Sequence, residues 1–152
     1  MKTLTRFLAA ALVLTIGAGV QAQQKPNFSG RWVITSPPEG AGREQVVTQD
    51  EKTLTVEQST SSGQRKTIHQ LDGVERQQAL PMRGQEIIVL SKAVWEGDRI
   101  AITSHTSYPN GMKTQSREVW SLDAQGRLVI DYAEIGPTGS APSMKVIFVK
   151  KS

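Results

Sequence analysis

The sequence contains no cysteine, which excludes both a disulfide framework and a lipid-modified cysteine behind a signal peptide. Small secreted domains commonly depend on disulfides, so this chain must be held together by core packing and strand pairing alone. The sequence also lacks the Gly-x-Ser-x-Gly and His-Glu-x-x-His motifs and a phosphate-binding glycine loop. No reaction and no cofactor are therefore predicted.

Histidine is scarce, because His69 and His105 are the only two in the chain. A tight metal site needs three or four ligands in a defined geometry. We therefore predict no metal site and place both histidines at the protein surface. An enzymatic role would require one of them to face a cavity beside a carboxylate.

Aromatic residues make up only 5% of the chain, which argues against a barrel that spans an outer membrane. Such barrels carry girdles of aromatic side chains at both lipid interfaces. An apolar strand face in this chain is therefore expected to point inward, into a protein core.

Charges of one sign are not grouped anywhere in the sequence. The 18 Lys and Arg residues exceed the 14 Asp and Glu residues by four, and both Lys2 and Arg6 lie in the leader described next. Nucleic-acid-binding domains show a basic patch or stripe, so no nucleic-acid partner is predicted.

The first 22 residues follow the order of a Sec signal peptide. A basic start, MKTLTR, precedes the uncharged run FLAAALVLTIGAGV and the small-residue site Val20-Gln21-Ala22. A run of about 14 residues is short for a membrane span of ~20, although an uncleaved anchor helix is the alternative. We predict cleavage after Ala22. Residues 23–152 then form one exported domain, periplasmic or secreted, with no further membrane span and expected to be a monomer.

The predicted domain is all-β. Valine, isoleucine and threonine recur at alternate positions and turn residues arrive at short intervals, with Asn110-Gly111 as the strongest hairpin signal. Successive hairpins indicate an up-and-down antiparallel meander of 8–10 strands. The predicted strands are Gly30–Thr35, Glu44–Gln49, Thr53–Gln58, Gln64–Gln70, Gln85–Trp95, Arg99–Ser107, Lys113–Leu122, Arg127–Ile135 and Ser143–Lys150, with a weaker one at Val74–Gln78.

Several strands have one apolar face, as Leu54 and Val56 illustrate. Closing the meander into a barrel around that face removes the exposed sheet edges, and an open sandwich is the alternative. Two longer connections are expected, Ser36–Arg43 and residues 77–84. They either flank the mouth of the barrel or serve as mobile connectors.

The stretch NFSGRW places Gly30 and Trp32 at the start of the first predicted strand. This Gly-x-Trp resembles the opening of the calycin barrels, which are the lipocalins, fatty-acid-binding proteins and avidins. The resemblance implies a lipocalin-like barrel in which Trp32 plugs the closed end beneath a cation. That cation is expected to be Lys150, with Lys145 and Arg117 as alternatives. The chain lacks the helix pair of fatty-acid-binding proteins and the cysteine pair and C-terminal helix of many lipocalins.

A lipocalin-like barrel implies a non-catalytic protein that binds a small hydrophobic or amphipathic ligand in its interior. The alternative is a barrel filled by its own side chains, which would meet a protein partner through its loops. The residues expected to line the interior are Trp32, Ile34, Val56, Trp95, Ile102, Trp120, Leu128, Ile130, Tyr132 and Phe148.

Overall fold

The chain forms a nearly closed antiparallel β-barrel in a computed structural model that describes residues 25–61, 63–140 and 142–152. The predicted signal peptide, residues 1–22, lies outside the described residues. Within them, no helix is long and apolar enough to cross a membrane, and the one helical element is a 3-10 turn at Pro38–Gly40. The strands are β1 (Gly30–Ser36), β2 (Glu44–Gln49), β3 (Thr53–Thr60), β4 (Gly63–Gln70), β5 (Arg76–Met82), β6 (Gln85–Glu96), β7 (Arg99–Ser107), β8 (Lys113–Leu122), β9 (Leu128–Gly136), β10 (Gly139–Ser140) and β11 (Met144–Lys151).

The sheet confirms the prediction of an all-β, up-and-down meander. Its strand order is β4-β3-β2-β1-β11-β9-β8-β7-β6-β5, and the two-residue β10 pairs only with β9. Strands β1 and β11 pair with each other, so the first and last strands close the barrel. The sheet edges are β4 and β5, which are neighbours in sequence but share no backbone ladder. We call the boundary between β4 and β5 the seam.

One side chain, that of Gln78 on β5, bridges the seam. Its Nε2 donates a hydrogen bond to the carbonyl of Ile68 on β4, and its Oε1 accepts one from the Ile68 N–H at 3.4 Å. The Gln78 amide thus occupies the role of a backbone peptide group from a neighbouring strand. A longer contact, 3.5 Å, joins Arg65 Nη2 to the carbonyl of Pro81.

The prediction of a loop at residues 77–84 is wrong. Strand β5 occupies most of that range and pairs in register with β6, and only Arg83 and Gly84 form the turn. Pro81, which favoured a loop, lies in a strand at the edge of the sheet. Its missing N–H removes no ladder bond there. The weaker strand predicted at Val74–Gln78 overlaps the beginning of this one.

Aromatic side chains fill one end of the barrel, which we call the closed end. Phe28 and Trp32 are almost fully buried, and Trp32 Nε1 donates a hydrogen bond to the Phe28 carbonyl at 2.8 Å. The Phe28 ring stacks on Trp95 and meets Trp120 edge-on, with ring centroids 6.2 Å apart in both pairs. These contacts bring the segment before β1 into the core.

The geometry around Gly30 explains the Gly-x-Trp spacing. Gly30 has a φ of +149°, and a Cβ at this position would lie 2.5 Å from Lys150 Cε. The Lys150 side chain uses this space to bring its Nζ within 5.4 Å of the centroid of the Trp32 ring. Lys150 is therefore the cation at the Trp32 ring, whereas the alternatives Lys145 and Arg117 form surface ion pairs with carboxylates.

Replacing Trp32 with alanine should lower the free energy of unfolding by about 3–5 kcal/mol, because it leaves a large cavity and a buried carbonyl without its donor. Urea denaturation followed by circular dichroism measures the change. Val74→Ala is the control, since Val74 is 53% exposed and should change stability by no more than about 0.5 kcal/mol. A loss below about 1 kcal/mol for Trp32→Ala would contradict the role of Trp32 as the plug.

Candidate functional site

The interior of the barrel becomes polar and hollow toward the end opposite Trp32, which we call the open end. A cavity of about 240 Å³ lies there, and we call it the polar cavity. Two further cavities of about 470 and 210 Å³ share Gln58 with it. The polar cavity is lined by Val56, Gln58, Arg65, Thr67, His69, Leu80, Ile87, Val89, Ser104, Thr106, Tyr108, Ser116, Glu118, Trp120 and Tyr132.

A row of polar side chains begins at Gln45 on β2, the cross-strand neighbour of Trp32, and continues over β3 and β4 toward the open end. Gln45, Gln58 and Arg65 are direct cross-strand neighbours, and Gln58 Nε2 donates a hydrogen bond to Gln45 Oε1 at 2.9 Å. Among the described residues, the buried Gln45 Nε2 and the buried Arg65 Nε have no acceptor. A buried donor without a partner costs about 1–3 kcal/mol, so the row carries an uncompensated cost in this structure.

The facing wall, formed by β8 and β9, is acidic. Glu118 is half-buried and accepts a hydrogen bond from Trp120 Nε1 at 2.9 Å. Burial raises the pKa of the Glu118 carboxyl, and only the Trp120 hydrogen bond opposes this effect. Next to Glu118, the Tyr132 hydroxyl donates a hydrogen bond to Glu134. Burial and then the Glu134 and Glu118 carboxylates raise the pKa of Tyr132.

His69 lies on the inner face of β4, so its predicted surface position is wrong, whereas His105 is exposed as expected. Burial lowers the pKa of His69 to about 4, which keeps the imidazole neutral near pH 7. Its Nδ1 has no hydrogen-bond partner. His69 therefore shares the polar cavity with Glu118, but no carboxylate orients its ring through Nδ1.

The residues expected to line the interior divide between the two ends. The buried core contains seven of the ten, and Ile34 and Trp95 pack against it, while Tyr132 lines the polar cavity. Trp32, Trp95, Ile102 and Leu128 line none of the three cavities at the open end. Those that line one or more are Ile34, Val56, Trp120, Ile130, Tyr132 and Phe148.

Sequence reasoning missed the polar residues of the site, Gln45, Arg65, His69 and Glu118. The inner positions of β4 are Arg65, Thr67 and His69, so no apolar residue marks which face of that strand points inward. The inward position of Glu118 could have been predicted, because Glu118 lies two residues from Trp120 and therefore on the same face of β8.

The chain has no detectable relative that would assign a role to the polar cavity. No known family model matches the chain, and no curated protein is significantly similar to it. In the portion of the chain that is described, no group of three or more His, Asp or Glu side chains could hold a metal ion. The polar cavity therefore has to be interpreted from its own side chains.

Glu118→Gln should stabilise the protein at pH 7, because burial disfavours the charged form of the carboxyl. Glutamine keeps an acceptor for Trp120 Nε1 but buries no charge. Because the folded state raises the pKa of Glu118, wild-type stability contributed by this group is lost as the pH rises above about 4.5. The stability difference between the two proteins, measured by denaturation from pH 4.5 to 8, should therefore grow with pH. His69 is present in both proteins, so its own contribution to the pH dependence of stability cancels in the comparison. A stability difference that does not change with pH would contradict the burial of an ionisable Glu118.

Proposed function

We propose that the chain is a non-catalytic binding protein that holds a small amphipathic molecule at the open end of the barrel. The observation that carries this proposal is the contrast between a closed end packed with aromatic side chains and a hollow open end lined by unpaired donors. Ligand sites are concave and combine an apolar lining with a few placed polar groups. The polar cavity has both.

The lining favours an amphipathic ligand over a wholly apolar one. Leu80, Ile87 and Val89 form an apolar cluster on one side of the polar cavity. Arg65 and Glu118 line the same cavity, and an apolar molecule would remove water from both without replacing its hydrogen bonds. A ligand that has both an apolar and a polar part can satisfy both surfaces.

Two other functions receive less support. A barrel that acts only through its loops needs no interior space, yet three cavities, all lined in part by Gln58, lie at the open end. His69 does line the polar cavity together with the carboxylate of Glu118, as an enzymatic role requires. A catalytic histidine also needs a group that orients its ring, and His69 Nδ1 has no partner among the described residues. Binding accounts for the cavity without requiring either arrangement.

Filling the polar cavity should block binding. Ser116 lines it, and Gln115 is its exposed neighbour on the same strand, so Ser116→Leu and Gln115→Leu add similar bulk inside and outside the barrel. Native mass spectrometry of protein from its own host should show a small bound mass that is lost on denaturation. Fluorescence titration with anilinonaphthalene sulfonate should show about tenfold weaker binding for Ser116→Leu, a loss of ~1.4 kcal/mol, and no change for Gln115→Leu. Equal affinities for both variants would contradict an interior site.

We also propose that residues 1–22 direct export and are removed. The order of the basic, apolar and small residues supports this proposal. In a bacterial host, the protein should appear in the periplasm or medium with Gln23 as its first residue, as determined by N-terminal sequencing. A variant without residues 2–22 should remain in the cytoplasm. Recovery of chains that retain Met1 in the membrane fraction would support the anchor alternative instead.

A further inference from the structure

The polar cavity contains two opposite charges that have no counter-ion, Arg65 on β4 and Glu118 on β8. Resting on the binding function proposed above, we propose that the ligand is a small zwitterion that carries one carboxylate and one ammonium group. Arg65 binds the carboxylate, and Glu118 binds the ammonium. Both side chains line the polar cavity, so one molecule within it can reach both.

Arg65 presents a free edge to the cavity. Its Nε is buried without an acceptor, and its Nη2 makes only the long contact with the Pro81 carbonyl across the seam. Over the described ranges, no carboxylate forms an ion pair with it. A guanidinium binds a carboxylate best through two parallel N–H donors. The free Nε–H and an adjacent Nη–H form such a pair.

Glu118 presents the complementary surface. One of its carboxylate oxygens accepts the Trp120 hydrogen bond, and no cation of the described chain pairs with it. The side chains of Trp120 and Tyr132 line the cavity beside it. Aromatic faces attract an ammonium group and add to its attraction to a carboxylate. This wall is therefore built to receive a cation.

A ligand with only one charge would satisfy only half of the cavity. A simple acid would pair with Arg65 and leave Glu118 uncompensated, and a simple amine would do the reverse. A buried charge without a partner is strongly unfavourable. A zwitterion pairs with both charges at once, and its complex has the same net charge as the free protein.

The size of the cavity sets the scale of the ligand. A volume of about 240 Å³ holds roughly eight water molecules at ~30 Å³ each. That space suits a short amino acid whose carbon chain lies against Leu80, Ile87 and Val89, and it is too small for a long-chain lipid.

Calorimetric titration with matched probes tests the proposal. The probes are unbranched ω-amino acids of three to eight carbons, each compared with the alkanoate and the alkylamine of the same length. At the best length, the amino acid should bind about tenfold or more tightly than either, because each lacks one charge-assisted interaction.

Substitutions of Arg65 and Glu118 test which residue binds the carboxylate and which binds the ammonium. Arg65→Met should abolish the preference over the amine, and Glu118→Gln should abolish the preference over the alkanoate. Lys66→Met is the matched control, since Lys66 is the exposed neighbour of Arg65 and pairs with Glu57 outside the barrel. It should keep both preferences. If Arg65→Met does not fold, Arg65→Lys keeps the charge but loses the two-pronged donor, and it should bind the amino acid more weakly than wild type.

Three results would count against the inference, and they separate its failure from failure of the proposed function. If anilinonaphthalene sulfonate enters the wild-type barrel but no ω-amino acid exceeds its matched acid and amine, binding stands and the zwitterion is excluded. If Ser116→Leu also leaves dye binding unchanged, the interior site itself is excluded. A preference for the amino acid over the alkanoate that survives Glu118→Gln would overturn the assignment of the ammonium to Glu118.

Discussion

The packing of Trp32 at the closed end is the interaction on which the rest of the barrel depends. Trp32 joins the segment ahead of β1 to the neighbouring strands of the sheet. Its Nε1 bonds to Phe28 ahead of β1, its strand pairs with β2 and β11, and its ring lies under Lys150 from the last strand. Because no disulfide joins these segments, this cluster fixes the first strand against the last and so sets the closure of the sheet.

A filled closed end allows the open end to be polar. Most of the buried apolar side chains belong to one cluster around Phe28, Trp32 and Trp120. Stability concentrated there offsets the cost of unpaired buried groups such as Arg65 Nε at the other end. The apolar core and the polar cavity thus lie on different halves of the same strands, and β8 shows this division within two residues, from Trp120 to Glu118.

The sequence was most informative where bulky apolar residues alternate with polar ones. Trp32, Val56 and Ile102 could be assigned to the interior because alternation in a strand has only one apolar face. Arg65 and His69 could not, because charged and polar side chains usually face solvent and the inner positions of β4 contain no apolar residue. Contacts between neighbouring strands that are distant in sequence, such as Lys150 on β11 beside Gly30 on β1, depend on strand register. The local sequence pattern does not reveal that register.

The barrel wall is held together by the fewest hydrogen bonds at the seam. A continuous ladder would fix the circumference, since each backbone bond must break before two strands separate. Between β4 and β5 the connection is the amide of Gln78, with a long contact from Arg65. Widening the cavity on this wall therefore costs the bonds of two side chains. On the opposite wall the ladder between β8 and β9 runs unbroken from Gln115 to Leu122, so fewer bonds hold the side of the cavity that carries Arg65 than hold its acidic side.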